Sequence, residues 1–436
     1  MTGSRQAASF FMKITILSYG SRGDVQPFIA LARGLQNRGH EVQLAAPHRF
    51  EDFASTYGIP FVRLAGDPEE ISRRINDAGT NAVRVIASIW DYIFKIAPQV
   101  SRSAFKACDG ANLIIHSFLF TVGGHSWARE HSIPDVSVLT FPMFAPTREF
   151  PNVSMPGLPP GILSYFSHWI SAQIFWYGGN TGYGPARRAN PDISYPKRLY
   201  WPFDKSRLPH LRTPVLCAYS PSVLPRPKDW PENIYVTGYL FLDDENYEPS
   251  AELSTFLSSG VAPLCISFGS MIHRKAERIV QAAMEAVNKT GNRAIFLIGW
   301  NGYKPDQIPE NMLFVEAAPH NWLFPRCKLV IHHGGAGTTG AGLRAGVPNI
   351  VVPHTADQPF WGSQVYKICA GPKPISVKRL TAGNLVRAIV EGQASSVRER
   401  ARGIGQRIRS EAGVAEAVRR IESYAAVFKA NEDLAL

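Results

Sequence analysis

The chain has 436 residues, 45% of them hydrophobic, which is too long for one ordinary domain and suits two of roughly 200 residues, each with its own core. A formal net charge of +11 raises nucleic acid as a partner, but the basic residues are spread along the chain and no nucleic-acid partner is expected. Five scattered cysteines (Cys108, Cys217, Cys265, Cys327 and Cys369) form no C-x-x-C pair, which argues against a disulfide framework or a zinc site and fits a reducing compartment.

Residues Met1 to Phe11 contain one arginine and no sustained apolar stretch, so no secretory signal is expected, and Met12 is an alternative start. Lys13 to Tyr19 (KITILSY) reads as a strand, Gly20-Ser21-Arg22-Gly23-Asp24-Val25-Gln26-Pro27 as a glycine-flanked turn, and Phe28 to Arg38 as an amphipathic helix. Glu41 to Ala46 then makes the next strand, the start of a doubly wound parallel sheet. Further strands are expected at Phe61 to Leu64, Leu113 to His116 and Asp135 to Thr140. His116 and His125 lie at or near a strand end, as interior histidines or as second-rank partners of a site. From Phe141 to residue 203 the composition shifts to proline, glycine and aromatics, with helical spacing and an aromatic face over Ile162 to Tyr177. Strands resume at Val215 to Ala218 and Ile234 to Thr237, and the polar run Asp243 to Ser250 reads as a linker, dividing the chain into domains 1–245 and 251–436. The second domain carries strands at Leu264 to Phe268, Ala294 to Ile298 and Cys327 to His332, and a helical tail from Thr381. Arg398, Arg400, Arg402, Arg407 and Arg409 on that tail read as a solvated helix face or as an attraction to an anionic membrane, where each basic residue contributes roughly 1 kcal/mol. No run is long and apolar enough to span a bilayer.

The stretch His332-His333-Gly334-Gly335-Ala336-Gly337-Thr338-Thr339-Gly340 joins a buried strand to a helix start through glycines, where the backbone can approach a ligand closely. The unpaired N–H groups and positive dipole end of that helix suit phosphate oxygens. Gly335 to Gly340 fits the dinucleotide pattern G-x-G-x-x-G, but two features count against a nicotinamide or flavin enzyme. A His-His pair precedes the glycines, and the candidate ribose acid, Asp357, falls beyond the next strand inside PHTADQPF. The whole string resembles the donor-binding segment of nucleotide-sugar-dependent glycosyltransferases of the GT-B fold, in particular the branch of sterol glucosyltransferases and bacterial antibiotic glycosyltransferases. GSRGDVQP resembles the first loop of the same branch, and the likeness extends over nearly the whole chain from Met12.

This resemblance implies an α/β architecture of two facing Rossmann-like domains with parallel sheets and an interdomain cleft, the last helix crossing back to the first domain. It implies an inverting hexosyltransferase that moves glucose from UDP-glucose to a hydroxyl of an apolar acceptor, with no cofactor beyond that co-substrate. Asp24 matches the family's acidic base, the alternative being a helix cap. His333, Gly335, Ala336, Gly337 and Thr338 match the diphosphate cradle, and Ser270 resembles a hydroxyl reaching the same phosphates. Asp357 and Gln358 match the acid-amide pair that reads sugar hydroxyls, and Ser21, Ala318 and His320 are implied nucleotide contacts. No metal is expected: a helix dipole would take its place, and the nearest acid pair, Asp243-Asp244, lies in the linker.

For the acceptor, Phe141 to Pro151 resembles a first-domain segment of the sterol-type members, and Phe144, Phe150 and Trp169 are the candidate contacts in an apolar cleft, although aromatics at such spacing also build cores. Sterols, polyketides and phenolics all fit. A cytoplasmic protein with peripheral membrane contact is expected. The rival readings are a nucleotide-sugar epimerase of related fold and a non-catalytic binding homologue.

Overall fold

A computed structural model describes residues 11–67, 70, 74, 82–193, 195–197, 199, 208–244, 246–268, 276–299 and 303–433. In chain order it runs β1 (Lys13–Leu17), α1 (Arg22–Gln36), β2 (Glu41–Pro47), α2 (Glu51–Thr56), β3 (Phe61–Leu64), α3 (Ala82–Cys108), β4 (Leu113–His116), α4 (Thr121–Glu130), β5 (Asp135–Leu139), α5 (Ile162–Ala189), β6 (Val215–Cys217) and β7 (Ile234–Val236). There follow α6 (Ala251–Ser258), β8 (Leu264–Ser267), α7 (Ala276–Lys289), β9 (Ala294–Leu297), β10 (Met312–Val315), α8 (His320–Leu323), β11 (Leu329–His332), α9 (Ala336–Ala345), β12 (Asn349–Val351), α10 (Gln358–Lys367), α11 (Ala382–Gly392), α12 (Ser395–Ser410) and α13 (Gly413–Asp433).

Two all-parallel sheets result, a seven-stranded one in the order β3-β2-β1-β4-β5-β6-β7 and a five-stranded one in the order β10-β9-β8-β11-β12. Each reverses its winding beside its own first strand, between β1 and β4 and between β8 and β11. In open α/β sheets ligands bind outside the strand C-termini at such switch points. Burial on both faces explains the uninterrupted apolar runs: all four residues of β4, β8 and β11 are buried.

The sequence places the start of α1 at Phe28, after Pro27, but the helix begins at Arg22. Ser21 and Asp24 form a capping box that nucleates it, and Pro27 costs only one ladder bond so near the start. α5 extends past Tyr177 to Ala189. α13 packs on α1: Ala417, Val418, Ile421, Tyr424 and Phe428 join the core of the first sheet, and Glu422 accepts from Arg38 at 3.1 Å. A further core spans the two domains, with Phe150 against Phe360 at 5.7 Å and Tyr219 against Trp361 at 5.4 Å. Arg344 clamps Asp243 with both arms of its guanidinium, so that carboxylate belongs to an ion pair between α9 and the linker.

His116 and His125 are interior residues. His116 Nε2 and His125 Nδ1 lie 3.0 and 2.9 Å from the same oxygen of buried Asp135, and Thr213 donates to the other at 3.1 Å. Burial alone would raise the Asp135 pKa, but the two histidines together hold it well below the ordinary carboxylate range. Of the five tail arginines, all exposed, Arg400 and Arg409 donate to the carbonyls of Ile368 and Arg344.

Candidate active site

The first wall of the cleft is the turn after β1. Gly20 adopts φ +142°, and a Cβ there would collide with the Asp24 carboxylate, so only glycine lets that carboxylate fold back over the turn. The Ser21 N–H and Oγ both donate to Asp24 Oδ2, at 2.8 and 2.9 Å, and no described residue hydrogen-bonds Oδ1. Asp24 is therefore a helix cap and a half-buried acid with one oxygen facing the cleft. Burial raises its pKa above the usual value, against the opposing pull of Ser21. Ser21, expected at the nucleotide, meets Asp24 through both donors: its N–H makes the capping-box bond, and its hydroxyl adds a side-chain bond to the same oxygen. Beside Asp24 lies a small open recess lined by Phe28, Ser117, Phe118, Val138 and Thr140. The last four follow or end β4 and β5. Their positions at strand C-termini are the signal that motif reading passed over.

The opposite wall comes from β11 and α9. His332 is buried and structural: Gly334 N–H donates to its Nδ1 at 3.1 Å, so Nε2 carries the proton toward Asn349 Oδ1 at 2.9 Å. Gly334 has φ +92°, and Gly335, where a Cβ would meet the His333 ring, is the N-cap. The helix starts at Ala336, two residues before the expected Thr338, with no side-chain cap over its first N–H groups. Gly337 faces open space, with nothing within 4 Å of a Cβ built there. Burial pulls His333 down to about 4, only partly opposed by the Ser267 backbone, so it is a neutral ring. These features fit a diphosphate. Ser270 lies outside the described residues.

Asp357 closes the cradle from the loop after β12. The preceding Ala356 has φ +56°, a left-handed conformation that costs a non-glycine residue of order 1 kcal/mol and turns the loop into the cleft. Asp357 is the N-cap of α10 but makes no capping hydrogen bond. Burial raises its pKa to about 7, and the charge of Asp24 adds to the rise; the Trp361 side chain and Ala336 backbone pull the other way. Asp24 and Asp357 are thus near enough across the cleft for the charge of one to act on the other. Gln358 is 6% exposed, and its carbonyl accepts the N–H of His354 and of Thr355 at 2.8 and 3.2 Å. These two bonds brace the 354–358 loop through the amide oxygen of Gln358.

His320 stacks on Phe324 at 4.3 Å and is driven down to about 3, first by burial and then by the charge of Arg22 and by His333. Arg22, over Phe53 at 4.6 Å, is thus a first-domain cation beside the second-domain histidines. Reading the first loop for its acid alone missed it. Ala318 is 9% exposed and packs its methyl in the core with Leu323 and Phe324. Trp322 packs edge-on against Tyr247 at 5.2 Å.

The acceptor expectations need correction. Phe144 is 1% exposed and Phe150 4%, packed among Phe175, His168, Trp230 and Phe360, so both are core. Trp169 is 54% exposed on the outer face of α5, because the inner face of that helix is taken by serines and a histidine. Phe118 and Thr140 line the recess instead.

Two facing Rossmann-like domains with their ligand walls at opposed switch points define the GT-B fold. The "Glycosyltransferase family 28 N-terminal domain" family model matches residues 14–114 and the "Erythromycin biosynthesis protein CIII-like, C-terminal domain" matches 297–423. O-mycaminosyltylonolide 6-deoxyallosyltransferase of Streptomyces fradiae is 34% identical over 95% of this chain and 98% of its own. Sterol 3-beta-glucosyltransferase UGT80A2 of Arabidopsis thaliana is 34% identical over 94% of the chain, which spans 65% of the plant protein; for the Yarrowia lipolytica sterol 3-beta-glucosyltransferase the figures are 33%, 94% and 28%. Among solved structures, the kitacinnamycin glycosyltransferase superposes with TM-score 0.70 at 18% identity, covering 95% of this chain and 99% of that one. The calicheamicin glycosyltransferase CalG4 gives 0.67 at 18%, covering 96% and 99%. The chain belongs to the glycosyltransferase family that contains the sterol glucosyltransferases and the antibiotic glycosyltransferases.

Proposed function

We propose that the protein is an inverting glycosyltransferase that moves glucose from UDP-glucose to a hydroxyl of an apolar acceptor such as a sterol, polyketide or phenol. The observation that carries this reading is the pair of Asp24 and Asp357 across the cleft, one beside an apolar recess and the other beside an uncapped helix start. In the proposed reaction Asp24 Oδ1 takes the acceptor's hydroxyl proton as the oxygen attacks the anomeric carbon from one face. The bond from that carbon to the diphosphate breaks on the other face, and UDP leaves with the bonding electrons. The N–H groups at Ala336 to Thr338 and the neutral ring of His333 meet the developing charge, a preorganised stabilisation typically worth a few kcal/mol. Arg22 adds a cation from the facing domain, and the reading therefore assigns no metal. Asp357 would accept hydrogen bonds from the sugar, with Gln358 fixing its loop.

Glucose and an apolar acceptor are favoured by the sterol 3-beta-glucosyltransferases among the relatives, and a nucleoside diphosphate by the cradle, whose fold neighbour SsfS6 was solved with thymidine diphosphate. Five free cysteines, four of them buried, fit a reducing cytoplasm. Among the described residues no helix is long and apolar enough to cross a membrane.

The test is thermal unfolding with UDP, dTDP, UDP-glucose and NADH in separate samples, with and without a chelator, followed by an acceptor screen with labelled UDP-glucose. A chelator-insensitive rise with UDP and UDP-glucose, and acceptor-dependent release of UDP, is expected. A rise with NADH alone, or sugar isomerisation without acceptor, removes the reading.

A further inference from the structure

Helix α5 is inside out. Its buried face carries Ser164, Ser167, His168 and Ser171, whose polar atoms are used up on the 143–159 segment: Ser164 Oγ donates to Pro159 O at 2.7 Å, Ser167 accepts Asn152 N–H at 2.9 Å, His168 Nε2 meets Phe150 O at 3.0 Å, and Ser171 pairs with Ser154 at 2.8 Å. Its outer face carries Leu163, Phe166, Trp169, Ile170, Ile174 and Tyr177, each between 41% and 68% exposed. Their spacing at three and four residues places them on one stripe. From Gly161 to Ala186 there is no Asp, Glu, Lys or Arg, and burial lowers the pKa of the only histidine there, His168. A surface helix normally turns such a stripe to the core; a large exposed apolar patch marks an interaction surface.

From this geometry we infer that α5 is a docking helix for an anionic lipid bilayer. Three further observations select that occupant. Both ends of the stripe carry exposed cations: Arg148, whose carbonyl accepts the Gly161 N–H at 2.7 Å where the helix begins, and Arg187 and Arg188 in its last turn. At the C-terminal end Asp192 is neutralised by Arg102, so Arg187 and Arg188 present positive charge to headgroups, whereas at the other end Arg148 and Lys228 are balanced by Glu149 and Asp229, which accept the N–H groups of Lys228 and Arg148. The tryptophan and tyrosines among the aliphatics suit the headgroup boundary, where one end of the ring is apolar and the other wet. Finally, the same helix reaches the cleft with its opposite face, because Phe175, four residues after Ser171, packs on Phe118 at 5.7 Å and Phe118 lines the recess beside Asp24. Bilayer contact stands on the surface alone. Its use, to pass a membrane-dissolved acceptor toward Asp24, rests on the transfer reading above, so the test reads binding and not turnover.

The full chain is sedimented with phosphatidylcholine vesicles and with vesicles containing added phosphatidylglycerol, beside the double variants Phe166→Glu/Ile170→Glu and Arg187→Gln/Arg188→Gln. Wild type is expected to sediment with the anionic vesicles and roughly tenfold more weakly with neutral ones. Phe166→Glu/Ile170→Glu is expected to stay in the supernatant with an unchanged thermal midpoint, since both side chains already face solvent. Ile174→Glu, 61% exposed, serves as a single substitution should the double variant aggregate. The arginine variant is expected to lose the preference for anionic lipid. Wild type that ignores both vesicle types, or apolar-face variants that bind as wild type does, overturns the inference. So does a solution dimer that Phe166→Glu/Ile170→Glu converts to monomer, which assigns the stripe to a second copy of the chain.

Discussion

Asp24, one turn into the first helix, and Asp357, at the start of a helix in the other domain, lie close enough across the cleft that the charge of one raises the pKa of the other. Burial is the larger cause and the charge of Asp24 adds to it, since two carboxylates so placed cannot both ionise without cost, and together they bring Asp357 from an ordinary 3.8 up to about 7. Between those values the folded state retains a proton that the unfolded chain has released, so stability falls as pH rises from about 4 to about 7 and is flat above. Asp357→Asn removes the charge but keeps the shape. The variant should unfold roughly 2 °C or more above wild type at pH 8, and the gain should vanish near pH 4 in thermal scans. An equal gain at both pH values would mean that the Asp357 pKa is not raised in the folded protein.

Asp24 caps α1 and is assigned the base, and the two roles separate by substitution. Asn at this position still offers an oxygen to Ser21, so Asp24→Asn should unfold within about 1 kcal/mol of wild type while losing about 10²–10⁴-fold in transfer rate. Asp24→Ala loses both, with about 1 kcal/mol gone from the helix start. Urea unfolding beside UDP release from UDP-glucose distinguishes them. If Asp24→Asn turned over like wild type, only the cap would remain.

How much of this was legible beforehand divides along a physical line. The strands of both sheets are short apolar runs between glycines and turns, and apart from Met312–Val315, which no site motif singles out although the Pro309-Glu310-Asn311 turn bounds it, each was readable at its place. The positions of Asp24, His333 and Gly337 beside the cleft were readable because glycine-rich strand-to-helix turns keep them within a few residues of a strand end, and that of Asp357 because it follows the next strand. The acceptor aromatics were not, since burial depends on which face of α5 meets the 143–159 loop, and that loop takes the polar face. Composition alone favours the reverse. Arg22 and the Ser117–Phe118 recess depend on strands separated by a hundred residues in the chain, which no local pattern joins.

Arg22 makes a prediction that the first loop's acid does not. Its guanidinium sits over Phe53, hydrogen-bonds Gln26 at 3.1 Å, and depresses His320 across the cleft. A diphosphate between the two domains would exchange these weak partners for charge-assisted bonds. Arg22→Gln should therefore weaken UDP about tenfold by calorimetry and uridine hardly at all. A parallel loss for uridine would place Arg22 at the base or ribose.

The two glycines of the cradle predict opposite behaviour from the same substitution. Gly334 has φ +92°, and a methyl there would sit 2.6 Å from Val351 Cγ1 and 3.0 Å from Gln358 O, so Gly334→Ala strains both backbone and packing. It should cost roughly 2 kcal/mol or more, with loss of UDP binding as a consequence of a displaced loop. Gly337 lies inside α9, has an ordinary helical backbone, and meets no protein atom within 4 Å of a built Cβ. Gly337→Ala should hold or raise stability by up to about 1 kcal/mol, since alanine is the better helix former. It should nevertheless weaken UDP by tenfold or more, because that empty space is where a diphosphate would come against the helix start. Thermal midpoints with and without UDP check both arms. A Gly337→Ala protein that is stable and binds UDP as tightly as wild type would move the diphosphate away from the α9 N-terminus, and with it the stabilisation assigned to the leaving group.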